Sequence, residues 1–79
     1  MNEIAKNKSH LSILKADIIE QMIRAEISDG RVVLIPISWF PKLSSAPHSS
    51  LKNLEISPSG YGIHWPEIDE DISIKSFIS

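Results

Sequence analysis

Cysteine is absent from this 79-residue chain, and with it go disulfide staples and thiolate zinc sites. A chain this short buries only about 60% of the surface that its unfolded form exposes. Its stability must come from a small packed core or from a partner chain, so size alone makes a homodimer an expectation to test. Long apolar runs are missing too. None approaches the ~20 residues that cross a bilayer, and the N-terminus has no charged region followed by an apolar stretch and a small-residue cleavage site. The expected compartment is the cytoplasm, with no membrane contact. A basic cluster is also lacking: residues 1–42 carry six Lys/Arg against five Asp/Glu, and residues 43–79 carry two against five. Phosphate neutralisation supplies most of a nucleic-acid binder's affinity, so nucleic-acid binding by this domain alone is not expected.

What is present fits an ordinary folded domain, with 42% hydrophobic and 23% charged residues. Residues 1–10 read as a loosely ordered lead-in, polar apart from Ile4, Ala5 and the initiator. Residues 11–79 read as one α+β domain. Leu11 to Glu20 fits neither the helical nor the strand period cleanly; we read it as a strand, with a short helix as the alternative. From Met22 the pattern sharpens. Ile23, Ala25 and Ile27 alternate with Arg24, Glu26 and Ser28, and Asp29-Gly30 precedes the β-branched run from Arg31 to Ile37, which predicts a β-hairpin. A two-residue loop would set Ile27 opposite Val32. A three-residue loop with a glycine bulge sets Ala25 opposite Val33 and Ile23 opposite Ile35, and only this register gathers Val33, Ile35 and Ile37 on the buried face. It also leaves Pro36 facing away, where a missing donor does least harm.

Ser38 then looks like the cap of a helix with Pro41 in its first turn. Trp39 and Phe40 read first as anchors that close the end of the sheet, and second as an exposed hot spot for a partner protein or a base-stacking platform. Ser45 and Pro47 suggest a second short helix running on through Leu51 and Asn53. Leu54 and Ile56 around Glu55 suggest another strand, ended by a turn at Ser57-Pro58-Ser59-Gly60. In Tyr61-Gly62-Ile63-His64-Trp65 the alternation predicts a strand with His64 and Trp65 on opposite faces. The acidic residues Glu67, Asp69, Glu70 and Asp71 follow, and Ser73 is placed to cap a terminal helix whose positive end those acids would suit. The expected architecture is a small antiparallel sheet, possibly mixed, of four to five strands with two short helices, in the approximate order β-β-β-α-β-β-α.

Three chemical readings of the acidic stretch stand beside this structural one. His64 with Glu67, Asp69 or Asp71 offers donors that suit a divalent cation, but the spacing matches no metal signature. His64 as a general base lacks a nucleophile, and no glycine-rich phosphate loop accompanies it, so no enzyme is expected. An acidic surface that docks a basic partner fits the charge asymmetry.

The blocks Ile27-Ser28-Asp29-Gly30-Arg31, Pro36-Ile37-Ser38-Trp39-Phe40-Pro41-Lys42-Leu43 and Gly60 to Ser73 together resemble the bacterial family catalogued as domain of unknown function 2442. They occur in family order, and the resemblance covers residues 27–78. Between them Asn53-Leu54-Glu55 is in register, while Pro47-His48-Ser49-Ser50 departs from the more charged helix usual there. The resemblance implies a small α+β domain. It also implies a partner, since members are similar to proteins encoded beside a second family, domain of unknown function 4160, in pairs proposed to be toxin and antitoxin. Some members carry a downstream helix-turn-helix; the chain ends at Ser79, and none is expected here. The family offers no established catalytic residue to carry over.

These readings converge on a non-catalytic protein-interaction module, the antitoxin-like or regulatory partner of a small neighbouring protein. A dimeric DNA-contacting regulator and a His/carboxylate metal-binding protein are the alternatives. No cofactor is expected. The candidate surface comprises Trp39, Phe40, Tyr61, His64, Trp65, Glu67, Asp69, Glu70 and Asp71.

Overall fold

A computed structural model describes residues 11–78; the lead-in expected over residues 1–10 lies outside them. The chain forms two three-stranded antiparallel sheets, β1-β2-β3 and β4-β5-β6, in chain order. The strands are β1 (Ile13–Ile19), β2 (Met22–Ile27), β3 (Val32–Pro36), β4 (Glu55–Ile56), β5 (Gly62–Trp65) and β6 (Glu70–Ser73). Two short helices, α1 (Pro41–Ser44) and α2 (His48–Leu51), join the sheets, and α3 (Lys75–Ile78) follows β6. The α+β class is as expected, but the single sheet of four to five strands with two helices is corrected to two sheets, six strands, three short α-helices and two 3-10 turns among the described residues. Among the described residues no helix is long and apolar enough to cross a membrane.

The missing strand is β6. Glu70 and Asp71 sit in a strand paired to β5, with Ile72 opposite Ile63, rather than in a lead into the terminal helix. An acidic tetrad hides strand character because only Ile72 of the β6 residues is buried. Ser73 is the last residue of β6, two before α3, and its Oγ accepts the Lys75 N–H at 3.1 Å.

In the first sheet, the irregular run Leu11 to Glu20 is a strand with a bulge. Ile13 pairs with Ile27, but the next pair is Lys15 with Glu26, so Leu14 is the extra residue. An inserted residue flips the parity of everything after it. Ile13 faces the core before the bulge and Ala16 and Ile18 face it afterwards, which is why neither period fitted. The turn to β2 uses Glu20 at φ 54, a conformation that glycine or asparagine usually marks and glutamate does not.

The hairpin of β2 and β3 has the three-residue loop. Ala25 stands opposite Val33 and Ile23 opposite Ile35, the Ile27 N–H bonds to the Arg31 carbonyl at 2.9 Å, and Gly30 takes φ 101. Asp29 ties the loop. Its Oδ1 accepts the Arg31 N–H at 3.1 Å, and its Oδ2 meets the Arg31 guanidinium at 2.8 Å. The Arg31 N–H, and secondarily the guanidinium, hold the Asp29 carboxyl below its ordinary value.

Between the sheets, Ile37–Trp39 forms a 3-10 turn, so Ser38 caps nothing; Phe40 precedes α1, and Pro41 is its first residue. Pro47 likewise stands before α2 rather than inside it, and the helix ends at Leu51. Leu43 and Leu51 are the buried residues of these helices, and they join Ile23, Ile27, Ile35, Ile63, Trp65, Ile72 and Phe77 in one core. Trp65 is its largest fully buried side chain.

Gly60, in the 3-10 turn before β5, closes the two sheets on each other. It takes φ 71, and a Cβ there would stand 2.7 Å from the Ile13 carbonyl oxygen and 2.9 Å from the Ile13 nitrogen. The first strand cannot retreat, because its start is bonded to the β2 end by Ser28 N–H to the Ser12 carbonyl at 2.8 Å and Ser12 N–H to Ser28 Oγ at 2.9 Å.

Two outcomes follow from these constraints. Gly60→Ala is expected to cost about 2 kcal/mol or more, from the left-handed conformation together with the backbone clash, and to lower Tm by on the order of 10 °C in a thermal melt. For Asp29, a folded pKa below the unfolded value places its contribution above the unfolded pKa, lost as pH falls through the folded one. NMR titration should therefore find the Asp29 carboxyl below the ordinary value of an unstructured aspartate, and amide protection in the hairpin loop should fall as that carboxyl protonates.

Candidate interaction surface

Strand β5 carries the alternation that the sequence implied. Ile63 and Trp65 are fully buried, while His64 faces outward and is half-buried. Pairing places Glu55, His64 and Asp71 in one row across β4, β5 and β6, on the outer face of the second sheet. His64 Nδ1 lies 2.7 Å from Asp71 Oδ1. A carboxylate only accepts, so Nδ1 carries the proton and the pair fixes the ring with Nε2 pointing elsewhere. The pair is a cross-strand contact of the sort that stabilises any sheet. Among the described residues no group of three or more His, Cys, Asp or Glu side chains is placed to hold a metal ion, so His64 and its acidic neighbours do not assemble the donor set that the metal reading needs.

The acids do not form one patch either. Glu67 turns to α2, where its two carboxylate oxygens accept from Ser50 Oγ and Asn53 Nδ2, each at 2.8 Å. Asp69 takes φ 57 in the β5–β6 loop, and its backbone carbonyl accepts from Lys42 Nζ at 3.2 Å. Glu70 pairs across from Trp65 and Asp71 from His64, so successive residues of β6 face opposite sides. The run that reads as a charge cluster in one dimension is divided among a loop clamp, a loop backbone and two sheet faces.

The aromatic residues separate in the same way. Trp65 is 0% exposed, and its indole N–H donates to the Leu51 carbonyl at 2.9 Å, which removes it from the candidate surface. Phe40 is half-buried and packs against the core. Trp39 is 64% exposed and Tyr61 60%. Trp39 therefore does not anchor the core as first read; it stands out from the 3-10 turn. Beside that turn lies an open groove of about 550 Å³ whose lining includes Met22, Pro36, Ile37, Ser38, Leu43 and His48.

Residues that the sequence reading did not single out are the aliphatic ones on the first sheet's outer side. Leu14, Ile19, Val32 and Leu34 are all exposed. A signal was available for two of them, since the register that turns Val33, Ile35 and Ile37 inward turns Val32 and Leu34 outward. Between them and β1, Arg24 bridges Asp17 at 3.7 Å and Glu26 at 3.1 Å, a solvated charge network of small energetic weight.

With this geometry in view, the comparisons with known proteins give a consistent placement. The family model described as "Protein of unknown function (DUF2442)" matches residues 13–78. The chain belongs to the DUF2442 family. Among solved structures, this DUF2442 chain is similar to a protein of unknown function from Rhodospirillum rubrum, at 25% identity and a TM-score of 0.76, over 84% of this chain and 82% of that one. It is also similar in fold to an uncharacterised protein from Chromobacterium violaceum, at 18% identity and a TM-score of 0.75, over 98% of this chain and 72% of that one. No curated protein matches.

The clamp made by Glu67 gives a test of the local geometry. Glu67→Ala removes the acceptor for both Ser50 and Asn53 and should cost about 1 kcal/mol, the usual net value for exposed hydrogen bonds. Denaturant melts would measure the loss, and hydrogen exchange should locate the loosening in α2 and the β5–β6 loop.

Proposed function

We propose that this DUF2442 domain is a non-catalytic protein-interaction module, the antitoxin-like or regulatory partner of a small cytoplasmic protein of the domain of unknown function 4160 family encoded beside it. The observation that carries the reading is the exposure of Trp39 at the end of the 3-10 turn whose first two residues, Ile37 and Ser38, line the groove. A large aromatic side chain left in water is a common form of interface hot spot, and a partly apolar depression lined by the preceding residues extends the surface a partner could cover. The partner seats an apolar side chain in the groove between Pro36, Ile37 and Leu43 and covers Trp39, and the mechanism is occlusion of the partner's own working surface. The family resemblance supports the choice of partner, and the groove and the exposed Trp39 support a surface that could bind it.

The test is a pull-down of the tagged chain from its host, with the mass of the eluted species determined by size exclusion and light scattering. A stoichiometric small protein of the neighbouring family should co-elute with the parent chain. Trp39→Ala should lose at least about tenfold in affinity, a hot-spot-sized effect, with an unchanged Tm because the side chain lies outside the core. Elution without any small protein, or a complex indifferent to Trp39→Ala and to groove substitutions such as Ser38→Arg, overturns the reading.

A further inference from the structure

Among the described residues strand β3 is an edge strand of the first sheet, with β1 at the other edge. The bonds from Ile27 N–H to the Arg31 carbonyl and from Ile37 N–H to the Gln21 carbonyl, with the register that sets Ala25 opposite Val33, identify Arg31, Val33, Ile35 and Ile37 as the residues whose backbone groups face β2. The intervening residues Val32 and Leu34 aim their N–H and C=O groups out of the sheet. The next in that series, Pro36, has no N–H to offer. Natural edge strands are usually shortened, charged or covered. Here the outward face of the edge carries Val32, 49% exposed, and Leu34, 47% exposed.

We propose that β3 is a homodimer interface, in which two copies of this chain pair their β3 strands antiparallel about a two-fold axis at Val33 and join their first sheets into one. In this register Val32 lies opposite the partner's Leu34, and each such pair exchanges both of its backbone hydrogen bonds. Every outward donor and acceptor of the two residues is used. Pro36 falls opposite the partner's Gly30, at the end of the ladder, where its missing donor is not needed.

The side chains favour a second copy as the occupant, and this register over its neighbours. Across β2, Val32 stands beside Glu26 and Leu34 beside Arg24. With the axis at Val33, each apolar pair is flanked by Glu26 on one side and the partner's Arg24 on the other, so the signs are complementary in both rows. With the axis at Leu34, Arg24 would share a row with the partner's Arg24, and Pro36 would fall opposite the partner's Val32 and leave a backbone acceptor unmet. With the axis at Val32, Glu26 would share a row with the partner's Glu26. A chain of 79 residues without cysteine also stands to gain from association, since its own core is small.

Sedimentation of the full chain over a concentration series should show a monomer–dimer equilibrium. Val32→Lys with Leu34→Lys, which touches no buried side chain, should retain the parent's circular dichroism and weaken dimerisation at least about tenfold. Because the chain has no cysteine, Val33→Cys gives one thiol per copy. At a non-hydrogen-bonded antiparallel pair the two Cα atoms are about 4.5 Å apart, within disulfide reach, so mild oxidation should give a covalent dimer at least about tenfold faster than Leu14→Cys, an exposed control outside the interface. A parent chain that stays monomeric throughout, a dimer untouched by the two lysines, or equal cross-linking at Val33 and Leu14 overturns the proposal. So does a result in which the lysine pair abolishes capture of a different protein and leaves self-association intact, which would assign the edge to a heterologous strand.

Discussion

The indole of Trp65 holds the two sheets and their connection in one arrangement. It is the largest fully buried side chain, and removing an aromatic of this size from water contributes roughly 4–6 kcal/mol before entropy is charged against it. An indole N–H buried without an acceptor would cancel part of that gain. The Leu51 carbonyl, at the end of α2, supplies the acceptor. A single residue of β5 thereby ties down the end of α2, and with it Leu51, which lines the groove beside the 3-10 turn.

The loop after Trp65 repeats the same connection from the polar side. The Ile68 and Asp69 N–H groups return to the Trp65 carbonyl, Glu67 reaches α2, and Lys42 of α1 reaches the Asp69 carbonyl. The acidic stretch is thus a set of short tethers around one buried ring. Neither α1 nor α2 has a side-chain cap, and each is a single turn. Turns this short have no stability of their own, so the tethers and the buried leucines are what define them.

Much of the fold was legible because its signals are local. Asp29-Gly30 with the alternation on either side specified the hairpin and its register, and that register already implied an outward Val32 and Leu34. His64 and Trp65 fell on opposite faces as alternation requires. The strand misread was β6, where Glu70 and Asp71 put charge into strand positions. β1 was read as a strand, but Leu14 breaks its parity and Glu20 occupies its turn without glycine, so its bulge and its end were not legible. Trp39 and Trp65 show the same limit for the candidate surface: two tryptophans of equal hydrophobicity end at 64% and 0% exposure.

The sequence by itself determined the α+β class, the central hairpin, the family blocks and the lack of covalent staples, because each depends on residue type and near-neighbour spacing. Tertiary structure alone decided the division into two sheets, the dispersal of the acidic run, the burial of Trp65, the exposure of Trp39 and the open apolar edge of β3. Those depend on which surfaces meet across the chain, and the close approach of Gly60 to Ile13 is one of the contacts by which they meet.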